Sequence, residues 1–209
     1  MKIEPQKIAL FNQNLRYEDP ATIIDFALGL SNKPVLTTSF GPYSASLIHA
    51  VHRQAPGIKV LWCDTGYNTP QTYAHMHNLQ ERFNLDLEVV APKYTTAYLD
   101  HMYGKPNVGT PEHEAFSSIV KIDPIKEAMS RIGPDLWFTN IRQGQTTYRD
   151  DQDVLSLSEH GILKVSPFYH FDNKQLYDYL MQHRLPAEFD YHDPVKAVSN
   201  RECGIHLSI

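Results

Sequence analysis

The chain has 209 residues, 42% hydrophobic and 21% charged, with a formal net charge of −5. That length suits one sizeable α/β domain and is short for two, and the acidic balance argues against a general binder of nucleic acid or anionic membranes. Two cysteines are too few for a disulfide framework or a four-thiolate metal cluster.

The first residues, Met1 to Lys7, mix both charge signs and lack the apolar core of a secretory signal. No apolar run approaches the roughly 18 residues that a membrane span requires. A reducing, cytoplasmic location is the resulting expectation.

In chain order, residues 6–17 and 20–30 are predicted to form two short amphipathic helices, the second introduced by Asp19-Pro20. Pro34 to Ser39 is a β-rich run stopped by Phe40-Gly41-Pro42, and Tyr43 to His52 has helical spacing in Ala45, Leu47, Ile48 and Val51. Ile58 to Cys63 is a second apolar strand closed by Asp64-Thr65-Gly66, Thr69 to Phe83 a helix, and Leu85 to Val90 a third strand. Gly104 to Pro111 is predicted to be a loop, followed by helical segments near 113–120 and 124–131 and a strand from Leu136 to Ile141. Gln143 to Asp153 has almost no apolar content and is expected to be an exposed, mobile loop. A short strand near Leu163-Lys164-Val165 and a helix from Asn173 to His183 complete the body. Strands alternating with helices of this length predict a single doubly wound α/β domain with a mostly parallel sheet and helices on both faces.

In such sheets ligands bind beyond the carboxyl ends of the strands, where strand order reverses. Three strand ends carry suitable groups. Ser39-Phe40-Gly41-Pro42-Tyr43-Ser44 joins hydroxyls, a glycine and a helix N-terminus, a setting for phosphate or sulfate. Read alone it is more often a plain connector. Asp64, Thr65 and Gly66 suit a ribose or adenine edge, or else an N-cap and a turn. Arg142 and Arg149 follow the strand at Trp137 and can grip anionic oxygens in bidentate fashion, although single arginines are commonly surface charges. Lys164 interrupts an apolar run, so it either has a ligand to meet or lies on an edge strand. Cys203 stands in Arg201-Glu202-Cys203-Gly204-Ile205-His206, a polar tail expected to be mobile, where Arg201 and His206 favour the thiolate. Cys63, in an apolar strand, is expected to be a packed core thiol. His75 and His77 lie two apart on a predicted helix, on different faces, and are expected to be solvent-facing or capping rather than metal ligands.

In this order the elements resemble the phosphoadenylyl-sulfate (PAPS) reductase family. The resemblance rests on Ser39-Phe40-Gly41, on Asp64-Thr65-Gly66-Tyr67 with Pro70 and Thr72-Tyr73, and on Trp137-Phe138 followed by Ile141-Arg142. It continues through Lys164-Val165 with Pro167, Asp172-Asn173 and the terminal Glu202-Cys203-Gly204-Ile205-His206. It implies an adenine nucleotide α-hydrolase-like fold, usually in a homodimer, that converts PAPS to sulfite and adenosine 3′,5′-bisphosphate. Reduced thioredoxin or glutaredoxin is the implied electron donor, with no tightly bound cofactor, no metal and no iron–sulfur cluster. It implies that Ser39, Phe40, Gly41 and Ser44 cradle phosphate and sulfate, and that Asp64, Thr65 and Gly66 border the nucleoside. Arg142, Gln145, Arg149 and Lys164 are the implied contacts to anionic oxygens, with Cys203 as nucleophile assisted by Arg201 and His206.

The chain then divides into an N-terminal helical segment (1–33), a sulfonucleotide-binding body (34–185) and a tail (186–209) carrying the reactive cysteine. Between Pro186 and Arg201 it lacks the Asp-x-His-Thr-Thr element that many members of the family carry. Two alternatives stand beside this reading: an ATP pyrophosphatase of the same fold, and a sulfonucleotide-binding protein without catalysis. Phe40 and Pro42 argue against the first, since they crowd the loop and Pro42 has no N–H to donate.

Overall fold

The computed structural model describes residues 4–107, 109–193 and 195, apart from the Tyr148 side chain. Helices α1 (Pro5–Leu15) and α2 (Pro20–Leu28) precede β1 (Pro34–Thr38), α3 (Ser44–His52), β2 (Lys59–Cys63), α4 (Pro70–Phe83) and β3 (Asp86–Val90). Then come α5 (Thr96–Tyr103), α6 (Pro111–Ser117), a π-helical turn (Ser118–Ile122), α7 (Asp123–Ile132) and β4 (Leu136–Phe138). The chain continues through α8 (Thr147–Asp150), β5 (Leu155–Leu157), β6 (Leu163–Val165) and α9 (Asn173–Gln182).

Among the described residues the strands form one six-stranded sheet in the order β3-β2-β1-β4-β6-β5. All neighbouring pairs are parallel except β5 with β6. The chain steps outward from β1 to β2 to β3, then returns to place β4 on the other side of β1. That reversal makes the carboxyl ends of β1 and β4 the switch point of the sheet.

Side-chain alternation gives the sheet two apolar faces. Leu36, Val60, Trp62, Phe138, Leu163 and Val165 join the large core with residues of α1, α2, α3, α4 and α9. Val35, Leu61, Cys63 and Trp137 face Ile125, Ala128 and Met129 of α7. The doubly wound arrangement read from the alternating strands and helices is therefore the one observed. No helix among the described residues is long and apolar enough to cross a membrane.

At the β5 edge the buried Asn12 of α1 acts as a substitute strand. Its Nδ2 donates to Leu155 O at 2.8 Å and its Oδ1 accepts from Leu155 N at 2.9 Å, so one amide completes the ladder on that residue. An edge closed this way offers no backbone groups there for another strand to pair with.

Several local expectations need correction. Helix α5 was not foreseen, because only Leu99 among its residues is buried and Tyr98 and Met102 face outward. Strand β5 escaped notice at three residues long. The run read as a strand to Ile141 leaves the ladder after Phe138, where Asn140 turns aside and its Nδ2 donates to Tyr43 O at 3.1 Å. The segment 143–153 is not a free loop: it contains α8, Gln143 N–H bonds Tyr169 O at 2.9 Å, and the Tyr169 hydroxyl donates to Arg149 O at 2.7 Å. Lys164 lies on β6, an interior strand between β4 and β5, which rules out the edge-strand explanation for it.

Candidate active site

Four strand ends converge at the switch point, and each arrives with a different chemistry. The β1 end carries Ser39 to Ser44. Phe40 adopts φ 50, the left-handed region that bulky residues avoid, and is held there by complete burial and an edge-on contact with Trp62 (centroids 5.3 Å apart). Strain of this kind persists where surrounding packing dictates it, commonly at functional sites. Its amide donates to Thr38 Oγ1 at 3.1 Å. Gly41 approaches the Tyr191 ring so closely that a Cβ would lie 3.3 Å from Cγ and Cδ1.

Helix α3 begins directly after this loop. Helices α2, α4, α5, α6, α8 and α9 each start on an Asp or Thr side-chain cap. Helix α3 starts at Tyr43 with no side-chain cap among the described residues. The positive end of its dipole therefore faces the switch point without a built-in anionic or hydroxyl partner.

The Ser44 hydroxyl turns inward, 2.8 Å from Gly41 O and 3.2 Å from His75 Nε2. His75 was expected to face solvent or cap a helix. It is buried instead, and burial pushes its pKa down to about 4, so it is a neutral brace beneath the loop. His77, two residues on, is exposed.

At the β2 end one oxygen of Asp64 gathers three donors: Gly66 N–H at 2.9 Å, Asn68 Nδ2 at 2.9 Å and the Tyr73 hydroxyl at 2.8 Å. Burial, with the hydrogen bond to Asp64 adding to it, raises Tyr73 to about 12. Asp64 does not cap α4; Thr69 does, accepting from Thr72 N–H. Thr65 is buried and its Oγ1 accepts from Tyr67 N–H at 3.3 Å. Gly66 has φ 77, and a Cβ there would stand 2.7 Å from Thr96 Cγ2, so glycine is required on both counts. Cys63 ends β2 as a core thiol, its Sγ 3.5 Å from Val120 O, and burial pushes its pKa up to about 12.

The β4 and β6 ends supply cations. Gln145 Oε1 accepts both from Arg142 N–H, at 2.8 Å, and from Arg149 Nη1, which ties the two arginine-bearing segments together. The Arg142 side chain is buried over the Tyr43 ring, 5.3 Å from its centroid, and donates to Phe171 O at 3.3 Å. The arginine thereby joins the β4 loop to the β1 loop. Lys164 Nζ lies 5.4 Å from the Trp137 ring centroid, while Trp137 Nε1 donates to Thr37 Oγ1 at 2.7 Å. Burial, then the nearby Arg149, hold Lys164 below the usual lysine range. An anion seated between these cations would relieve that repulsion.

The residues expected at the site thus fall into three groups. Ser39, Phe40, Gly41, Ser44, Asp64, Thr65 and Gly66 line adjoining strand ends. Arg142, Gln145, Arg149 and Lys164 form one cluster beside them. Cys203, Arg201 and His206 lie outside the described residues.

Sequence reasoning missed a fourth group on the other flank of the β1 loop. Tyr191 packs on Gly41, its hydroxyl within hydrogen-bonding reach of Ser39 and 3.0 Å from Asp193 Oδ2. Lys121, from the π-helical turn, makes an ion pair with the same Asp193 oxygen. One signal was present: Lys121 interrupts the apolar run Ile119-Val120-Lys121-Ile122 as conspicuously as Lys164 interrupts its own.

A family model described as the phosphoadenosine phosphosulfate reductase domain matches residues 33–189. A phosphoadenosine 5′-phosphosulfate reductase of Proteus mirabilis is 35% identical over 190 residues, covering 89% of this chain and 78% of its own. Among solved structures, phosphoadenylyl-sulfate (PAPS) reductase from Candida auris in a phosphate complex superposes with a TM-score of 0.78 at 19% identity, covering 90% of this chain and 91% of that one. FMN adenylyltransferase of Candida glabrata, in complex with FAD and inorganic pyrophosphate, shares the fold at a TM-score of 0.61 and 8% identity, covering 90% of this chain and 61% of that one.

Proposed function

The chain belongs to the phosphoadenosine phosphosulfate reductase family, and from that premise we propose that it reduces 3′-phosphoadenylyl sulfate to sulfite and adenosine 3′,5′-bisphosphate. The observation that carries the reading is the convergence, at one switch point, of an uncapped helix N-terminus, a strained β1 loop and the Arg142–Gln145–Arg149–Lys164 cluster. These supports match a small, multiply anionic nucleotide. Asp64 and Gly66 border its nucleoside, the α3 N-terminus and the Ser39–Ser44 loop hold the phosphosulfate, and the cations offset its charge.

On this reading Cys203 supplies the nucleophile. Its thiolate Sγ attacks the sulfuryl sulfur, the bridging S–O bond breaks, and the electron pair leaves on the phosphate oxygen of the nucleotide. The product on the protein is an S-sulfonated cysteine. A thiolate of reduced thioredoxin or glutaredoxin then attacks Cys203 Sγ, and sulfite departs with the electron pair of the sulfur–sulfur bond. The donor's second thiol closes its own disulfide and returns Cys203 as the thiol. The same sulfur must meet a sheltered substrate and later an external protein, which is why a tail suits the task better than a strand. Arg201 and His206 favour the thiolate. A cytoplasmic setting supplies the reduced donor, and a homodimer is the assembly proposed by family likeness.

A competition assay tests the substrate. Sulfite release with reduced thioredoxin is expected from PAPS and to fall at least about tenfold with adenylyl sulfate, which lacks the 3′-phosphate and its pairing with a cation. Turnover of ATP with pyrophosphate release instead would overturn the reading.

A further inference from the structure

The turn that joins β6 to α9, Ser166 to Phe171, grips the segment carrying the arginines of the cation cluster. Tyr169 O accepts from Gln143 N–H at 2.9 Å, Phe171 O accepts from Arg142 Nη1 at 3.3 Å, and the Tyr169 hydroxyl donates to Arg149 O at 2.7 Å. A further contact joins two side chains: His170 Nδ1 lies 3.1 Å from Gln143 Oε1. That oxygen can only accept, so Nδ1 carries the ring proton.

The imidazole is held in that direction by its neighbours. Tyr169 packs edge-on against it, with centroids 4.8 Å apart, and the Tyr17 ring lies tilted against it at 5.1 Å. Its other nitrogen, Nε2, is enclosed, makes no hydrogen bond among the described residues and stands 3.8 Å from Asp153 Oδ1. Asp153 is itself engaged by Arg16 at the end of α1. Burial holds His170 below the usual imidazole range; Asp153 pulls the other way and Arg16 reinforces burial, so the ring is neutral at neutral pH.

The turn itself does not depend on the His170–Gln143 bond. It is fixed by Tyr169 N–H on Ser166 O and Phe171 N–H on Phe168 O, both at 3.0 Å, and by the burial of Phe168 and Tyr169. Gln143 is exposed and lies outside any strand or helix. What the bond restrains is the residue beside Arg142. With its backbone N–H on Tyr169 and its side chain on His170, Gln143 is attached at both ends, which sets the direction of the chain as it leaves β4.

Resting on the function proposed above, we infer that His170 is a positioning residue for nucleotide binding: its Nδ1–H fixes Gln143 beside Arg142, so that the Arg142 fork meets the anion already oriented. A restraint of this kind spares freedom that the segment would otherwise lose on binding. Its expected worth is about fivefold in affinity, the scale of one neutral hydrogen bond. The effect falls on binding and not on bond-making in the filled site.

The test is isothermal titration of the full chain with adenosine 3′,5′-bisphosphate for wild type, His170→Ala, His170→Asn and His170→Gln, beside single-turnover transfer at saturating PAPS. Asn carries its amide near the place of Nδ1, whereas Gln, closer to histidine in size, carries it near that of Nε2. His170→Ala and His170→Gln should bind about fivefold more weakly, and His170→Asn within about twofold of wild type. All three should transfer sulfonate at saturation within about twofold of wild type. Gln143→Leu should lose the same factor as His170→Ala, and the double variant no more than either alone. A side chain that only fills space would give the opposite order, with Gln the better replacement. Affinity within twofold of wild type in His170→Ala overturns the inference. So does His170→Gln binding as tightly as His170→Asn, an additive loss in the double variant, or slower transfer at saturation.

A wild type that neither binds adenosine 3′,5′-bisphosphate nor accepts sulfonate would overturn the proposed function instead. The inference is then judged by amide hydrogen exchange at Gln143. Faster exchange in His170→Ala that His170→Asn reverses supports the restraint, and equal exchange in all three proteins removes it.

Discussion

Replacing Cys203 by serine is expected to abolish sulfite release, by at least about a thousandfold, while leaving nucleotide affinity nearly unchanged. The asymmetry follows from the division of labour in the site. On the proposed function, affinity comes from the strand ends and the cation cluster, whereas bond-making falls to the sulfur of Cys203. A serine hydroxyl titrates far above a thiol, and its oxygen cannot accept the thiolate attack by which Sγ expels sulfite, so both half-reactions stop. Cys63 offers no substitute. It is buried against Val120 O and pushed up to about 12, which leaves almost no thiolate at neutral pH. Cys63→Ala is accordingly expected to retain sulfite release. The check is steady-state turnover beside nucleotide titration for all three proteins; sulfite release by Cys203→Ser at a tenth of the wild-type rate would remove the cysteine from the mechanism.

Arg142→Gln should produce the largest loss of substrate affinity, about a hundredfold, from a charge-assisted contact worth roughly 2–3 kcal/mol. Arg142 is suited to that role by placement. It is buried, oriented over Tyr43 at 5.3 Å, and fixed by Phe171 O, so its fork enters the site with little freedom left to lose. Gln145 Oε1 holds the Arg142 backbone N–H and the Arg149 guanidinium together, so the effect of changing Arg149 should exceed that of a lone surface cation. Arg142→Lys keeps the charge but not the planar fork, and an intermediate loss of about tenfold is expected. Isothermal titration with adenosine 3′,5′-bisphosphate at low and high salt measures both. Affinity within twofold of wild type for Arg142→Gln would show that the anion lies elsewhere.

Much of this architecture was legible in the residues, for reasons that are local. Pro34 to Ser39 and Ile58 to Cys63 are apolar runs cut off by Gly, Pro and Asp, so both strands and their functional ends could be read together. The Ser39-Phe40-Gly41 and Asp64-Thr65-Gly66 turns announced themselves through residues that only special backbone geometry needs; Gly66 at φ 77 is the plain case. Helix α5 and strand β5 were not legible, since one buries a single side chain and the other owes its place to Asn12, far away in the chain. The same holds for His75, whose burial depends on a contact with Ser44 across the α3–α4 packing.

Long-range pairing also hid the Lys121–Asp193 contact. The two residues are 72 positions apart. The ion pair makes sense only once the π-helical turn and the segment after α9 are seen to meet beside Gly41. Conversely, the edge-strand explanation of Lys164 failed because strand order is a property of the sheet and not of its own three residues.

Passage of the sulfonate from nucleotide to the tail cysteine is the step on which the proposed function depends. Reduced protein, mixed with one equivalent of PAPS and no thiol donor, should gain a single SO3 group that peptide mapping places on Cys203, with one equivalent of adenosine 3′,5′-bisphosphate released. An unmodified chain after that incubation, or a sulfonate found on any other residue, would contradict it.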